Sequence, residues 1–251
     1  MDPALPERLE VVRARIGDAA REAGREPDDV TLIVVTKFQP LALIRDLVDL
    51  GVRDFGESRH PEARDKAQAV PDARWHFVGQ LQTNKARQVA RYAAAVHSVD
   101  RPGLVDALAR RMQEPRAADG ERFEERDTSR GRMEDAADAR PRDLDVFLQV
   151  DLGPEVQPEG RGGAAPADAE RLAERILAAD GLRLLGVMAV APVDEEPARA
   201  FARLRDVSDR IRTLDPAASA VSAGMSGDFV PAIGVGATHL RIGTAITGPR
   251  P

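Results

Sequence analysis

The sequence contains no cysteine, which removes disulfides, thiolate nucleophiles and cysteine-ligated metal sites together and fits a cytoplasmic protein. Aromatic residues make up only 4% of it, too few for base-stacking platforms. There is no basic excess either. The formal net charge is −6, so no nucleic-acid partner held by a broad positive face is expected. No apolar run approaches the roughly 18 residues that a membrane span needs, so no membrane partner is expected. The opening stretch MDPALPERLEVVRARIGDAAREAG is charged throughout and lacks an apolar h-region, so no signal peptide is expected. The four histidines, His60, His76, His97 and His239, stand far apart in no ligand spacing, and no metal is expected.

What is present is enough apolar residue, 43% of 251 positions, to bury a real core in one large domain or two small ones. Residues 6–23 carry Leu9, Val12, Ile16, Ala19 and Ala20 at helical spacing, an amphipathic helix ahead of the first strand. From there strands and helices alternate. Strands are expected to start at Thr31, Val52, Arg74, Ala94, Leu144, Leu182, Ala218 and Ala237, with helices over 41–52, 57–69, 83–92, 101–112, 167–179, 196–214 and 227–235. Eight strands separated by helices predict an α/β fold, a single TIM-type (β/α)8 barrel spanning residues 1–251 with an extra N-terminal helix. A doubly wound open sheet is the alternative, weakened by the lack of a GxGxxG turn after the first strand. Residues 113–142 contain no Val, Ile or Leu and balance acidic against arginine residues. They predict a flexible, surface-exposed insertion; a charged interaction tail is the other reading.

In such a barrel the residues just past each strand share one mouth, where a site is built. Past the first strand stands Lys37, in TLIVVTKFQP. A partly desolvated lysine can act as a neutral amine toward an aldehyde, although a strand-end lysine can also simply snorkel to solvent. The loops after the seventh and eighth strands carry Ser222, Gly224, Met225 and Ser226, then Gly243 and Thr244. Glycine with hydroxyl residues at these places suits a phosphate, since the backbone N–H groups can come close; ordinary turns are the alternative. Arg241 adds a permanent donor and positive charge at the mouth, directed at a phosphate or a heteroaromatic nitrogen, or else paired with Asp228. Lysine, phosphate cradle and arginine together suggest pyridoxal 5′-phosphate as cofactor. A barrel for another phosphorylated metabolite, with Lys37 structural, stays open.

The segments VTKFQP, GVRDFGES, WHFVGQLQTNKAR, VHSVDR, GMSGDFVPAI and ATHLRIGTAITGPR resemble the pyridoxal phosphate homeostasis protein family, which is similar to the N-terminal barrel domain of alanine racemase. The likeness runs over residues 9–250 apart from the insertion. It implies Lys37 as the Schiff-base lysine, Ser222, Gly224, Gly243 and Thr244 on the phosphate motifs, Met225 and Ser226 completing the GMS turn, and Arg241 beside the pyridine nitrogen. Three positions depart from the family pattern: Ser58 replaces an asparagine, Arg161-Gly162-Gly163 replaces Lys-x-Gly, and Ala223 replaces a methionine. By resemblance, the related racemases take a second acid/base from a tyrosine of a C-terminal β-domain. Here the sequence stops after the eighth strand, and the only tyrosine, Tyr92, falls on a predicted helix with a packing role. The expectation is therefore a monomer that carries or buffers the cofactor without substrate turnover, with apo-enzymes as recipients. The alternative is an amino-acid racemase or lyase on the same barrel.

Overall fold

The computed structural model describes residues 2–113, 143–153 and 162–249. The expected insertion past Gln113, Arg161 and half of the loop over 151–166 lie outside the described residues. Eight parallel strands close on themselves in sequence order: β1 (Thr31–Val35), β2 (Asp54–Glu57), β3 (Arg74–Phe77), β4 (Ala95–Val99), β5 (Leu144–Gln149), β6 (Leu182–Met188), β7 (Ala220–Ser222) and β8 (His239–Ile242). The ring shuts where Thr31 to Val34 lie beside His239 to Ile242. The expected barrel is present and the open sheet is not.

The outer helices are α1 (Leu5–Glu22), α2 (Leu41–Asp49), α3 (His60–Ala69), α4 (Ala86–Val89), α5 (Pro102–Gln113), α6 (Ala169–Leu177), α7 (Pro197–Leu214), α8 (Phe229–Gly234) and α9 (Thr244–Thr247). The apolar stripe of α1, with Leu5, Leu9, Val12 and Ile16 buried, packs on α8 and α9. Because α9 is a single turn, α1 supplies the long helix that closes the last layer. Burying such a stripe is what makes an amphipathic helix stable, more than propensity is.

Two expected helices change. Glu57 was expected to begin a helix and instead ends β2, since Phe77 of β3 pairs with it in register. The expected helix over 83–92 shrinks to a 3-10 turn (Thr83–Lys85) and α4, which leaves Tyr92 in the turn that follows. No helix among the described residues is long and apolar enough to cross a membrane.

The core has two shells. Val34, Phe55, Val96, Val146 and Val187 face the helices in one continuous apolar layer. The lumen inside the strands is different. A side chain added at Gly56 would touch Ile33, Val35 and Val78, so those positions face inward. With them the lumen holds Phe147 and an unusual number of polar side chains, set out below. TIM barrel lumens are more often filled with Val, Ile and Leu.

Candidate functional site

β1 ends in a tight turn. Gln39 N–H donates to the Thr36 carbonyl at 2.9 Å, with Lys37 and Phe38 between them. Phe38 has φ of 66°, the only positive value at a non-glycine among the described residues. Such a conformation normally takes Gly or Asn and costs a phenylalanine on the order of 1 kcal/mol. A charged clamp holds it. Phe38 N–H donates to Glu62 Oε1 at 2.6 Å, and Lys66 Nζ donates to Glu62 Oε1 at 2.6 Å, Glu57 Oε1 at 2.7 Å and the Thr36 carbonyl at 2.8 Å. Thr36 Oγ1 completes it with a 2.8 Å bond to Glu57 Oε1. Burial pushes the Glu57 carboxyl up from its ordinary range, with Lys66 and Thr36 pulling the other way.

Lys37 itself is half-buried and makes no hydrogen bond or ion pair with any described residue. The chain has three lysines, and they are in different states. Lys66 is buried with all three of its protons bonded. Lys85 lies on the 3-10 turn (Thr83–Lys85). Of the three, Lys37 stands at the carboxyl end of a barrel strand with its amine unpartnered among the described residues.

Across the mouth, Arg241 comes from β8 and is only 5% exposed. Its Nη1 donates to Ser222 Oγ at 2.7 Å and its Nη2 to the Ala189 carbonyl at 2.9 Å. A guanidinium has five N–H donors, so three remain uncommitted among the described residues. The expected alternative, an ion pair with Asp228, is not formed. Burial pushes the Arg241 pKa down to about 10, with the Asp228 carboxylate opposing. It therefore stays charged at neutral pH.

Ser222 does not face outward toward a phosphate. It is fully buried, and its oxygen serves both Arg241 and, at 2.9 Å, His97 Nδ1. β4 and β7 are not neighbours in the ring, so this contact crosses the lumen. His97 Nε2 then meets His76 Nδ1 at 3.0 Å, and His76 Nε2 meets Asp54 Oδ1 at 2.9 Å. The strand irregularity between Val96 and Val99 falls on His97, as bulges near sites often do. Phe147 stacks on the His97 ring with centroids 4.2 Å apart. Burial first, then the neighbouring His76, Arg241 and His239, push the His97 pKa well below its usual value, so this ring is neutral. Three histidines thus meet although they are scattered in sequence. No group of three or more His, Asp or Glu among the described residues is arranged to hold a metal ion.

The loop after β7 turns at Gly224, with φ of +91°, where an added Cβ would sit 2.9 Å from Phe229 Cα and from Ala232 Cβ. Met225 is exposed and its N–H is taken by Asp228 Oδ1 at 2.6 Å. Ser226 and Gly227 follow, part-exposed and exposed. After β8, Gly243 passes Val35 so closely that a Cβ would lie 3.3 Å from the Val35 carbonyl, which sets this loop against the Lys37 strand. Thr244 is exposed at the first turn of α9, where N–H groups have no partner within the helix. Gly224, Ser226, Gly243 and Thr244 therefore lie at one side of the mouth, just past the neighbouring strands β7 and β8. Tyr92 packs on His60, ring centroids 6.0 Å apart, and burial pushes its phenol up.

The sequence reading missed the clamp and the lumen chain. The signal for the second was available. Asp54, His76, His97, Ser222 and Arg241 are polar positions within short strands that are otherwise largely apolar.

Residues 13–251 match the family model described as alanine racemase, N-terminal domain. A pyridoxal phosphate homeostasis protein of Pseudomonas aeruginosa is 38% identical, over 98% of this chain and 96% of that one. Another, from Corynebacterium glutamicum, is 37% identical over 96% of this chain and 99% of its own. Among solved structures, PipY of Synechococcus elongatus with PLP bound is 28% identical with a TM-score of 0.74, covering 97% of this chain and 100% of that chain. Alanine racemase from Corynebacterium glutamicum is 15% identical with a TM-score of 0.64, covering 96% of this chain and 61% of that one, a likeness of fold alone.

Proposed function

The chain belongs to the pyridoxal phosphate homeostasis protein family and carries the alanine racemase N-terminal domain, and from that premise we propose that it binds pyridoxal 5′-phosphate at the barrel mouth through Lys37 and buffers or hands on the cofactor without turning over a substrate. The observation that carries this reading is the pairing, at one mouth, of an amine unpartnered among the described residues with a buried cation that keeps three donors unspent among them. A phosphorylated heteroaromatic aldehyde fits those residues. When bound, the cofactor supplies an aldehyde that condenses with a primary amine and a pyridine ring that can draw electrons.

Each residue then has a task. Lys37, unlike the fully bonded Lys66, offers an amine free to form a bond. The N–H groups of Gly224, Gly243 and Thr244 and the hydroxyls of Ser226 and Thr244 line a side suited to a phosphate, while Asp228 holds the Met225 N–H and fixes the turn. Arg241 would hold the ring-nitrogen side of the cofactor, and as a permanent cation it would oppose protonation there, which favours holding over turnover. Ser222 acts one step away, by holding Arg241. The reading extends to a single-domain monomer working in the cytoplasm, with apo-enzymes that need the cofactor as recipients.

The test is absorbance. Purified protein incubated with pyridoxal 5′-phosphate should show a visible band that survives gel filtration, and Lys37→Ala should lose it. A wild-type protein that cannot be loaded would reject the proposal.

A further inference from the structure

The lumen chain joins a cation to an anion. Arg241 lies at the mouth, and Asp54 at the amino end of β2 lies at the opposite end of the barrel. Between them stand Ser222, His97 and His76, each within 3.0 Å of the next. With both imidazole rings neutral, the two ends dictate every donor. Arg241 can only donate, so the Ser222 oxygen accepts. The Asp54 carboxylate, ionised, can only accept, so His76 Nε2–H donates to it. A neutral His76 then accepts at Nδ1, which makes His97 Nε2–H the donor. A neutral His97 accepts at Nδ1, and the Ser222 hydroxyl donates there. All four bonds point the same way, from guanidinium to carboxylate, and bonds aligned in series strengthen one another.

We propose that Asp54, His76, His97 and Ser222 form a one-way hydrogen-bond relay through the barrel lumen that fixes the position of the Arg241 guanidinium and gives it a distant counter-ion. The reason for such a device is geometric. Arg241 is buried with no ion-paired carboxylate among the described residues, which is ordinarily costly. A carboxylate beside it would neutralise the charge where the mouth needs it. A relay supports the charge from below and leaves its upper donors free. These four are positioning residues; none is asked to touch a ligand. His239 shares the lumen but not the chain, since its Nδ1 is bonded to Thr238 Oγ1 at 2.8 Å, and it serves as the control.

The inference rests on the proposed cofactor reading only for what Arg241 faces, so the experiment has two arms. The first uses cofactor-free full-length protein labelled with 15N at histidine. Long-range proton–nitrogen correlation should show His76 and His97 neutral, each with its proton on Nε2. A proton on Nδ1 of either ring, or two protons on either, would overturn the relay. The second arm loads the variants with pyridoxal 5′-phosphate. His97→Leu should weaken loading about tenfold and shift the visible band, as loss of support to a charged hydrogen bond does. His97→Gln should recover most of both, because its amide offers one acceptor and one donor in place of the ring nitrogens. His239→Leu should stay within about twofold of wild type. A His97→Leu protein with wild-type loading and spectrum would also overturn the relay. Wild-type protein that shows both Nε2–H rings but takes up no cofactor would uphold the relay and sink the cofactor reading.

Discussion

Lys66→Met probes the clamp beneath Lys37. Lys66 is 7% exposed and Glu57 1%, and their 2.7 Å bond is enclosed by α3 and the end of β2. Removing the amine leaves the Glu57 carboxylate buried without a cation, a loss of about 3–5 kcal/mol. In a chain of this size that is a fall in Tm of roughly 6–20 °C. The pH dependence gives the mechanism away. Burial already raises the Glu57 carboxyl above its ordinary 4.5, and Lys66 opposes the rise. Without Lys66 it rises further, so the native state keeps a proton that the unfolded chain releases. Stability then falls as pH climbs from the unfolded value through the folded one. Urea unfolding should therefore show a larger deficit at pH 8 than at pH 5. The pair Glu57→Gln with Lys66→Met should regain much of the loss, since no charge is left buried. Loading with pyridoxal 5′-phosphate should weaken several-fold, because the Lys37 turn loses the Lys66 bond to the Thr36 carbonyl and keeps only the Gln39 N–H there. A Lys66→Met protein within about 1 kcal/mol of wild type at both pH values would refute this account of the clamp.

The Phe38 backbone carries strain, so Phe38→Gly should be close to neutral by calorimetry, whereas β-branched Phe38→Val should cost about 1–2 kcal/mol; equal effects would argue against strain. Burial holds the His239 pKa down to about 4, so the native state resists a proton that the unfolded chain takes up near 6.5. Stability should be full above pH 6.5 and fall by up to roughly 3 kcal/mol toward pH 4, a slope that His239→Leu flattens in urea titrations. Arg241→Gln should keep the barrel folded by circular dichroism while shifting the visible band of the loaded protein, since an amide donates without the permanent charge.

The barrel was legible because most strands hold a short apolar run and each long helix a periodic one, so strand boundaries moved by at most two residues while the order held, and the larger shifts fell on α2, α3 and α4. The placing of Lys37, Gly224 and Gly243 just past β1, β7 and β8 was legible for a related reason, since the barrel rule collects whatever follows a strand, whereas Arg241 lies within β8. Glu57 was misread because a charged residue before a helical pattern looks like a helix start. Only pairing with Phe77 reveals it as a strand end whose carboxylate meets Lys66 from the next helix. Ser222 was assigned to the phosphate loop by its place in the chain. Strand alternation turns it into the lumen instead, beneath Arg241. His76 and His97 looked unrelated because sequence distance says nothing about which residues share a closed lumen.

The central claim is that Lys37, among three lysines, is the amine that takes the cofactor. Borohydride reduction of the loaded protein, followed by peptide mass spectrometry, tests it directly. The account predicts one pyridoxyl adduct, on Lys37, with Lys66 and Lys85 unmodified. An adduct chiefly on Lys66 or Lys85, or none on a protein that retains the cofactor, would contradict it.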